Sequence, residues 1–463
     1  MSDNIKSKDL EYLDRSPSKP SSYRNVQTDA VFGEITEDGP NYRGLGWFAT
    51  SILMTKTMIG LGVLSIPAAF DVLGLIPGTI CLLAIATMNI WSMFVVGTFK
   101  LNHPEVYAID DVGYMLFGVP GRVVFGAIFC TYWIFVSGSG MLSVSIALNA
   151  VSTHATCTAT FVAIAAIVTF CLTSIRTLGR MSWIAWVGLF STMGAILTLT
   201  VAVGVQDRPA SAPQVGPWKP DYELFKKPSF QEAITAISTM IFAYAGASAF
   251  FAIVAEMRDP KYYARSLTIC QSLVTATYLS IAVVVYCFCG SYVASPALGS
   301  AGVLMKKVCY GIAIPGLLAS TIILSHLSSK YLFIRLLHGT EHLTANTARH
   351  WITWFGCTFG ATITAYIIAS AIPVFNSLVS LIGALLGTLM SFQPMGCMWL
   401  YDNWKGERTR TWYLMVTWSI FMIIIGTFFM VAGTYGSVVE IINGYKESGG
   451  SAAWSCADNS NSV

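Results

Sequence analysis

Charge is what this sequence has least of. Asp, Glu, Lys and Arg make up 11% of its 463 residues while 54% are hydrophobic, against about 25% charged in an ordinary soluble domain. So few charges cannot clothe the surface of a soluble globule of this size. The net charge of +3 is scattered over short segments and forms no basic stripe, which argues against nucleic acid as a partner. The eleven cysteines include no CxxC pair with metal-ligand spacing, so no metal is expected. Residues 1–43 lack the apolar core of a cleavable signal peptide, and nowhere do paired catalytic groups share one depth. Neither an enzyme nor a bound cofactor is expected.

What is abundant is the apolar run. A helix needs about 20 apolar residues to cross a bilayer, and eleven segments approach this. They lie near 44–70, 73–98, 121–150, 157–174, 182–205, 230–255, 266–290, 308–334, 351–371, 376–400 and 411–434. The predicted fold is therefore an all-α integral membrane protein of about eleven transmembrane helices. Residues 1–43, rich in Ser, Asp and Lys, read as a disordered cytosolic tail, and 435–463 as a second, extracellular tail. With the first tail in the cytosol, Lys and Arg should gather on the inner side. They do so at Lys100, Arg122, Arg176, Arg180, Arg258, Lys261, Arg265, Lys330, Arg335, Arg349, Lys405, Arg408 and Arg410. Residues 206–228 hold five prolines and read as an external connection between a first half, 44–205, and a second, 229–400. The last helix, 411–434, is an addition to the two halves.

Two spans are interrupted. Ile59-Gly60-Leu61-Gly62, followed by Pro67, breaks the first, and Ala243-Tyr244-Ala245-Gly246 breaks the sixth, five helices later. Matching breaks in two halves point to an inverted-repeat transporter whose unwound helices leave backbone groups free at the midplane. Freed N–H groups suit a carboxylate, and freed carbonyls suit an ammonium. Close helix packing is the competing explanation of such glycines.

The stretch Lys56-Thr57-Met58-Ile59-Gly60-Leu61-Gly62-Val63-Leu64-Ser65-Ile66-Pro67 resembles the first-helix signature of the amino acid/auxin permease family, in particular its fungal neutral amino acid permeases. Phe242-Ala243-Tyr244, Glu256-Met257-Arg258-Asp259-Pro260, Tyr292-Val293-Ala294-Ser295-Pro296 and Lys330-Tyr331-Leu332-Phe333-Ile334-Arg335 extend the likeness over residues 44–434. The resemblance implies a leucine-transporter-like 5+5 inverted repeat plus one helix. It also implies secondary active uptake of neutral, aliphatic or aromatic amino acids by proton symport with alternating access, the proton being the coupling ion. Carried to matching positions, it places Thr57, Ile59, Gly60, Leu61, Gly62 and Val63 at the substrate carboxylate, and Phe242, Ala243, Tyr244 and Gly246 at the ammonium and side chain. The plasma membrane is the expected location and the vacuolar membrane the runner-up. A transport-inactive amino acid sensor and a vacuolar exporter are the alternatives.

Three titratable residues are candidates for coupling or gating. Lys56, an ammonium inside an apolar helix, needs a cavity or a partner. One turn before Gly60 it faces the unwound region, where sodium-coupled relatives of the fold hold a cation, so it replaces that ion and exchanges a proton, or it props the broken helix. His326 is either a proton relay or a hydrogen-bonded packing residue. Glu256 reads as an ion-paired gate or helix-end anchor, and Glu232 as a solvated residue at the outer mouth. Phe242, Tyr244 and Phe250 are expected to line the pocket. Cys157 and Cys309, near predicted outer helix ends, are the pair to test for a disulfide, with small packing residues as the alternative. Lys6, Lys8 and Lys19 offer sites to a ubiquitin ligase.

Overall fold

The computed structural model describes residues 27–29, 33–35, 44–175, 178–209, 212–213, 215–343, 345–372, 374–447, 454 and 456–460. The tail lysines, Arg176 and most of the expected disordered tail lie outside the described residues. A short antiparallel hairpin, β1 (Gln27–Asp29) with β2 (Gly33–Ile35), precedes the helices. Among the described residues every regular element after it is helical, as the apolar runs require.

The first span is broken into α1 (Trp47–Met58) and α2 (Ile66–Leu73), with a single 3-10 turn at Gly62–Leu64 between them. Long helices follow: α3 (Leu75–Asn102), α4 (Ile109–Ser152), α5 (Thr158–Thr173) and α6 (Leu178–Val205). After the connection that follows α6, α7 (Phe230–Tyr244) and α8 (Ala247–Ala255) form a second broken span, and α9 (Tyr263–Cys289), α10 (Val303–Leu337) and α11 (Ala348–Ala371) come next. The next span is composite: α12 (Phe375–Leu381), a π-helical turn (Ile382–Gly387), α13 (Thr388–Ser391) and α14 (Gln393–Asn403). α15 (Arg410–Glu447) ends the helical part.

Among the described residues nine helices are long and apolar enough to cross a membrane. The bent pair α1 and α2, turned by 43°, makes ten. Thr158–Thr173 is apolar, but its 16 residues fall below a full span. Several boundaries differ from those the apolar runs predict. α4 begins twelve residues before 121, because Asp111 accepts the Tyr107 and Ala108 amides at its start and the chain turns sharply at Gly118 (φ +69°) before Pro120. α15 runs thirteen residues past 434, so the second tail is shorter than expected.

The core is formed by α4 against α10, with α6, α5 and α11 packed around them. Against this scaffold lie α1, α2, α7, α8, α3 and α9. The connection between α6 and α7 is tied down: Leu75 and Ile76 amides donate to the Glu223 and Leu224 carbonyls at 3.0 Å each, and Lys226 pairs with Asp71 at 2.7 Å. Asp221 accepts the Ser291 amide at 2.8 Å and hydroxyl at 2.6 Å. Partial burial disfavours the Asp221 charge, but these hydrogen bonds outweigh it and hold the carboxyl below its ordinary value.

One expected pairing is corrected. Cys157 is bonded to Cys456, 299 residues away, while Cys309 is free and buried in α10. Cys456 sits in a chain end whose composition predicts a plain tail, and no local spacing signals that it folds back to α5.

Candidate functional site

The two breaks meet. Gly62 lies so close to the second broken span that a Cβ placed on it would sit 2.4 Å from Ala243 Cα, so only glycine lets the two backbones touch. Gly60 faces Ser320 of α10 in the same way, at 2.7 Å from its hydroxyl. Around this contact is a cavity of about 30 Å³, room for two or three waters at the ~10–15 Å³ each needs. Its floor is Thr57, Met58, Gly60, Leu61 and Gly62 from the first break, with Phe242, Ala243, Ala245 and Gly246 from the second. Tyr132, Trp133 and Val136 of α4 and Ser320 and Leu324 of α10 close it, each set on one helix face by its spacing of about one turn. No lining residue is charged.

The backbone groups in the breaks divide into two classes. Among the described residues the amides of Gly60, Leu61 and Gly62 have no acceptor, and they stand just ahead of α2, where the helix dipole favours an anion. The carbonyls, in contrast, are already engaged by the protein. The Tyr278 hydroxyl of α9 lies 2.6 Å from the Met58 carbonyl and 2.9 Å from that of Ala243. Tyr132 donates to the Ala245 carbonyl. Each carbonyl keeps a second lone pair for a further donor.

Lys56 is fully buried. Its ammonium donates to the Ile59 carbonyl at 3.1 Å and to the Thr192 hydroxyl of α6 at 2.9 Å. The charge thus stands against the broken helix, where it satisfies a carbonyl that the missing turn leaves without its helical donor.

Below the cavity the protein is shut. Glu256, at the end of α8, pairs with Lys330 of α10, and both side chains are buried. The Leu45 amide donates to the Glu256 carbonyl at 3.1 Å, and the Arg258 amide to that of Leu45 at 2.8 Å. Ser266 fixes the Trp47 carbonyl at 2.7 Å.

These observations describe two discontinuous spans crossing at a closed, uncharged cavity, and the sequence comparison agrees with them. The model of the family described as transmembrane amino acid transporter protein matches residues 43–439. The chain belongs to that family. The transporter is 33% identical over 428 residues to a protein named "Transmembrane transporter" from Gibberella moniliformis, covering 92% of this chain and 90% of the relative. It is 31% identical over 434 residues to the "N amino acid transport system protein" of Neurospora crassa, covering 92% and 91%. In three dimensions it resembles a Na+-coupled sialic acid symporter, with a TM-score of 0.54 at 13% identity over 86% of this chain and 91% of that one. At that identity the likeness shows the fold alone, and it bears out the leucine-transporter-like architecture.

Not every expected site residue reaches the transporter's cavity. Ile59, Val63 and Tyr244 are buried but do not line it, and Phe250 is packed away in α8. Tyr244 instead meets Tyr278 edge-on, with ring centroids 5.0 Å apart. His326 lies away from the cavity: Nδ1 is 3.5 Å from the Thr173 carbonyl of α5, and its ring meets Trp354 at 5.3 Å. Glu232 caps α7 with Ser229 and is exposed. Tyr132, Trp133, Tyr278, Ser320 and Thr192 escape sequence reasoning, because an aromatic or a hydroxyl in a long apolar helix carries no signal of the face it presents.

Proposed function

We propose that this chain is a proton-coupled symporter that takes up neutral amino acids by alternating access across the plasma membrane. The observation that carries the reading is the pairing of free amides at Gly60, Leu61 and Gly62 with a fixed ammonium, Lys56, one turn away. A substrate carboxylate takes the amides. Its ammonium takes the remaining lone pairs on the Ala243 and Ala245 carbonyls. The side chain lies among Trp133, Val136, Phe242 and Leu324, an uncharged surface that leaves a cationic or anionic side chain without a partner.

The sodium-coupled arrangement of such a fold needs a cation beside the first break, and Lys56 supplies a covalently held one. Deprotonation would loosen its bond to Ile59, inside the first span, and its bond to Thr192, which joins that span to α6. That couples proton loss to movement of α1. The Cys157–Cys456 disulfide supports placing the chain end on the non-cytosolic side, since disulfides persist in oxidising compartments.

The test is uptake of radiolabelled leucine and phenylalanine into proteoliposomes under an inward pH gradient, with and without sodium, for wild type and Lys56→Ala. The expected result is accumulation that needs the gradient, ignores sodium and is lost in the variant. A sodium requirement overturns the role given to Lys56. Binding without accumulation favours a sensor over a transporter.

A further inference from the structure

The chain end beyond α15 is a built element. Besides the disulfide to Cys157, the Trp454 amide donates to the Ser370 carbonyl at 3.0 Å, and its ring meets Tyr366 of α11. Thr158 of α5 donates to the Ala457 carbonyl at 2.7 Å. Asn459 reaches α4 twice: its amide nitrogen lies 3.2 Å from the Ser145 hydroxyl, and its carbonyl oxygen accepts from Asn149 at 2.8 Å. Lys306 of α10 donates to the Ser460 carbonyl, and Ser460 itself is buried.

Every one of these partners is on α4, α5, α10 or α11, at the end opposite the Glu256–Lys330 closure. Two of the helices, α4 and α10, also line the cavity. Ser145 lies nine residues outward of Val136, and Lys306 fourteen outward of Ser320, or about 14 and 21 Å along their helices. The segment therefore bridges the outer ends of the cavity's two scaffold walls. Ahead of it in the chain, α15 packs on α14, α7 and α12.

We propose that Trp454 and residues 456–460 form a disulfide-held cap that keeps the outer mouth closed, and that an external thiol releases it. Cys456 is exposed and Cys157 half-buried, so a thiolate from outside attacks the Cys456 sulfur and expels Cys157 as a thiolate, which takes up a proton. A second external thiol then displaces the first. The protein gains two thiols, and the external thiols are oxidised to their own disulfide. That the cap faces the outside rests on the orientation in the reading above; that it covers α4 and α10 does not.

The test has two arms. In purified protein, Ser145→Cys is labelled by a maleimide with the disulfide intact and in a Cys157→Ser/Cys456→Ser background, and the modified site is read by peptide mass spectrometry. The expected labelling rate rises at least tenfold without the tether. In vesicles, wild type folded with its disulfide and then treated with a membrane-impermeant thiol should show a several-fold lower KM for external neutral amino acid, and Cys456→Ser should not respond. Reducing folded wild type covers the case in which the double variant fails to fold. Unchanged labelling means that the segment stays seated without its bond and overturns the cap. Faster labelling with an unchanged KM overturns its hold on the mouth. If no amino acid is taken up under any condition, the transport reading fails and the labelling arm alone decides the cap.

Discussion

Tyr278→Phe removes one oxygen from the centre of the molecule and nothing else. The ring keeps its edge contact with Tyr244, and no cavity opens. What is lost is the donor shared by the Met58 and Ala243 carbonyls, which belong to buried residues, so only a water held in the small cavity they line could replace it. One hydroxyl has one proton, so one hydrogen bond disappears, not two. A buried acceptor left without its donor costs about 1–3 kcal/mol, which is roughly 5- to 150-fold in an equilibrium constant. Because the hydroxyl lies within reach of one carbonyl in each break, the loss should fall on the arrangement of the two broken spans against α9. Equilibrium unfolding in mixed micelles should show the variant less stable by this amount, and uptake should fall with it. Tyr132→Phe, which frees only the Ala245 carbonyl, is the matched control and should cost a similar amount. A Tyr278→Phe protein that unfolds and transports as wild type does would refute the claim that tyrosines from α9 and α4 hold the breaks.

Other outcomes follow from the same geometry. Lys330→Met leaves Glu256 buried without its partner and should destabilise by about 3–5 kcal/mol, whereas Glu256→Gln with Lys330→Met should recover much of the loss in the same unfolding assay. Gly62→Ala drives a methyl into the Ala243 backbone, 2.4 Å away, and should cost about 1–3 kcal/mol by overpacking and abolish uptake; normal uptake would show that the breaks do not touch. The hydrogen-bonded Asp221 carboxyl, held below its ordinary value of 3.8, anchors the connection between α6 and α7 above that value and releases it as pH falls through the lowered one. Protease nicking within 206–228 should therefore rise only in strong acid for wild type, and already near neutrality for Asp221→Ala.

The parts of this protein legible in its sequence are those that break a pattern. Glycines at 60, 62 and 246 interrupt apolar runs, and Lys56 puts a charge where none is cheap, so the breaks and the buried cation stand out from the order of residues alone. Glu256 is readable as an ion-paired group, but its partner Lys330 is 74 residues away, and nothing local names it. The residues that complete the cavity, Tyr132, Trp133, Ser320 and Leu324, obey the apolar pattern of their helices, and only the packing of α4 on α10 turns them inward. The disulfide shows the same limit from the other direction. Cys157 stands out at a helix end, but Cys309 and Cys456 are equally silent about which one folds back to it.

The tie between Leu45 and the Glu256 and Arg258 backbone has a consequence for how this protein tolerates change. It is made by peptide groups alone, so no side-chain replacement at 45, 256 or 258 removes it unless proline takes away a donor at 45 or 258. The ends of the two broken spans at Leu45 and Glu256 are joined by a clasp that is blind to amino-acid identity. Sequences can drift widely there while the two spans stay joined.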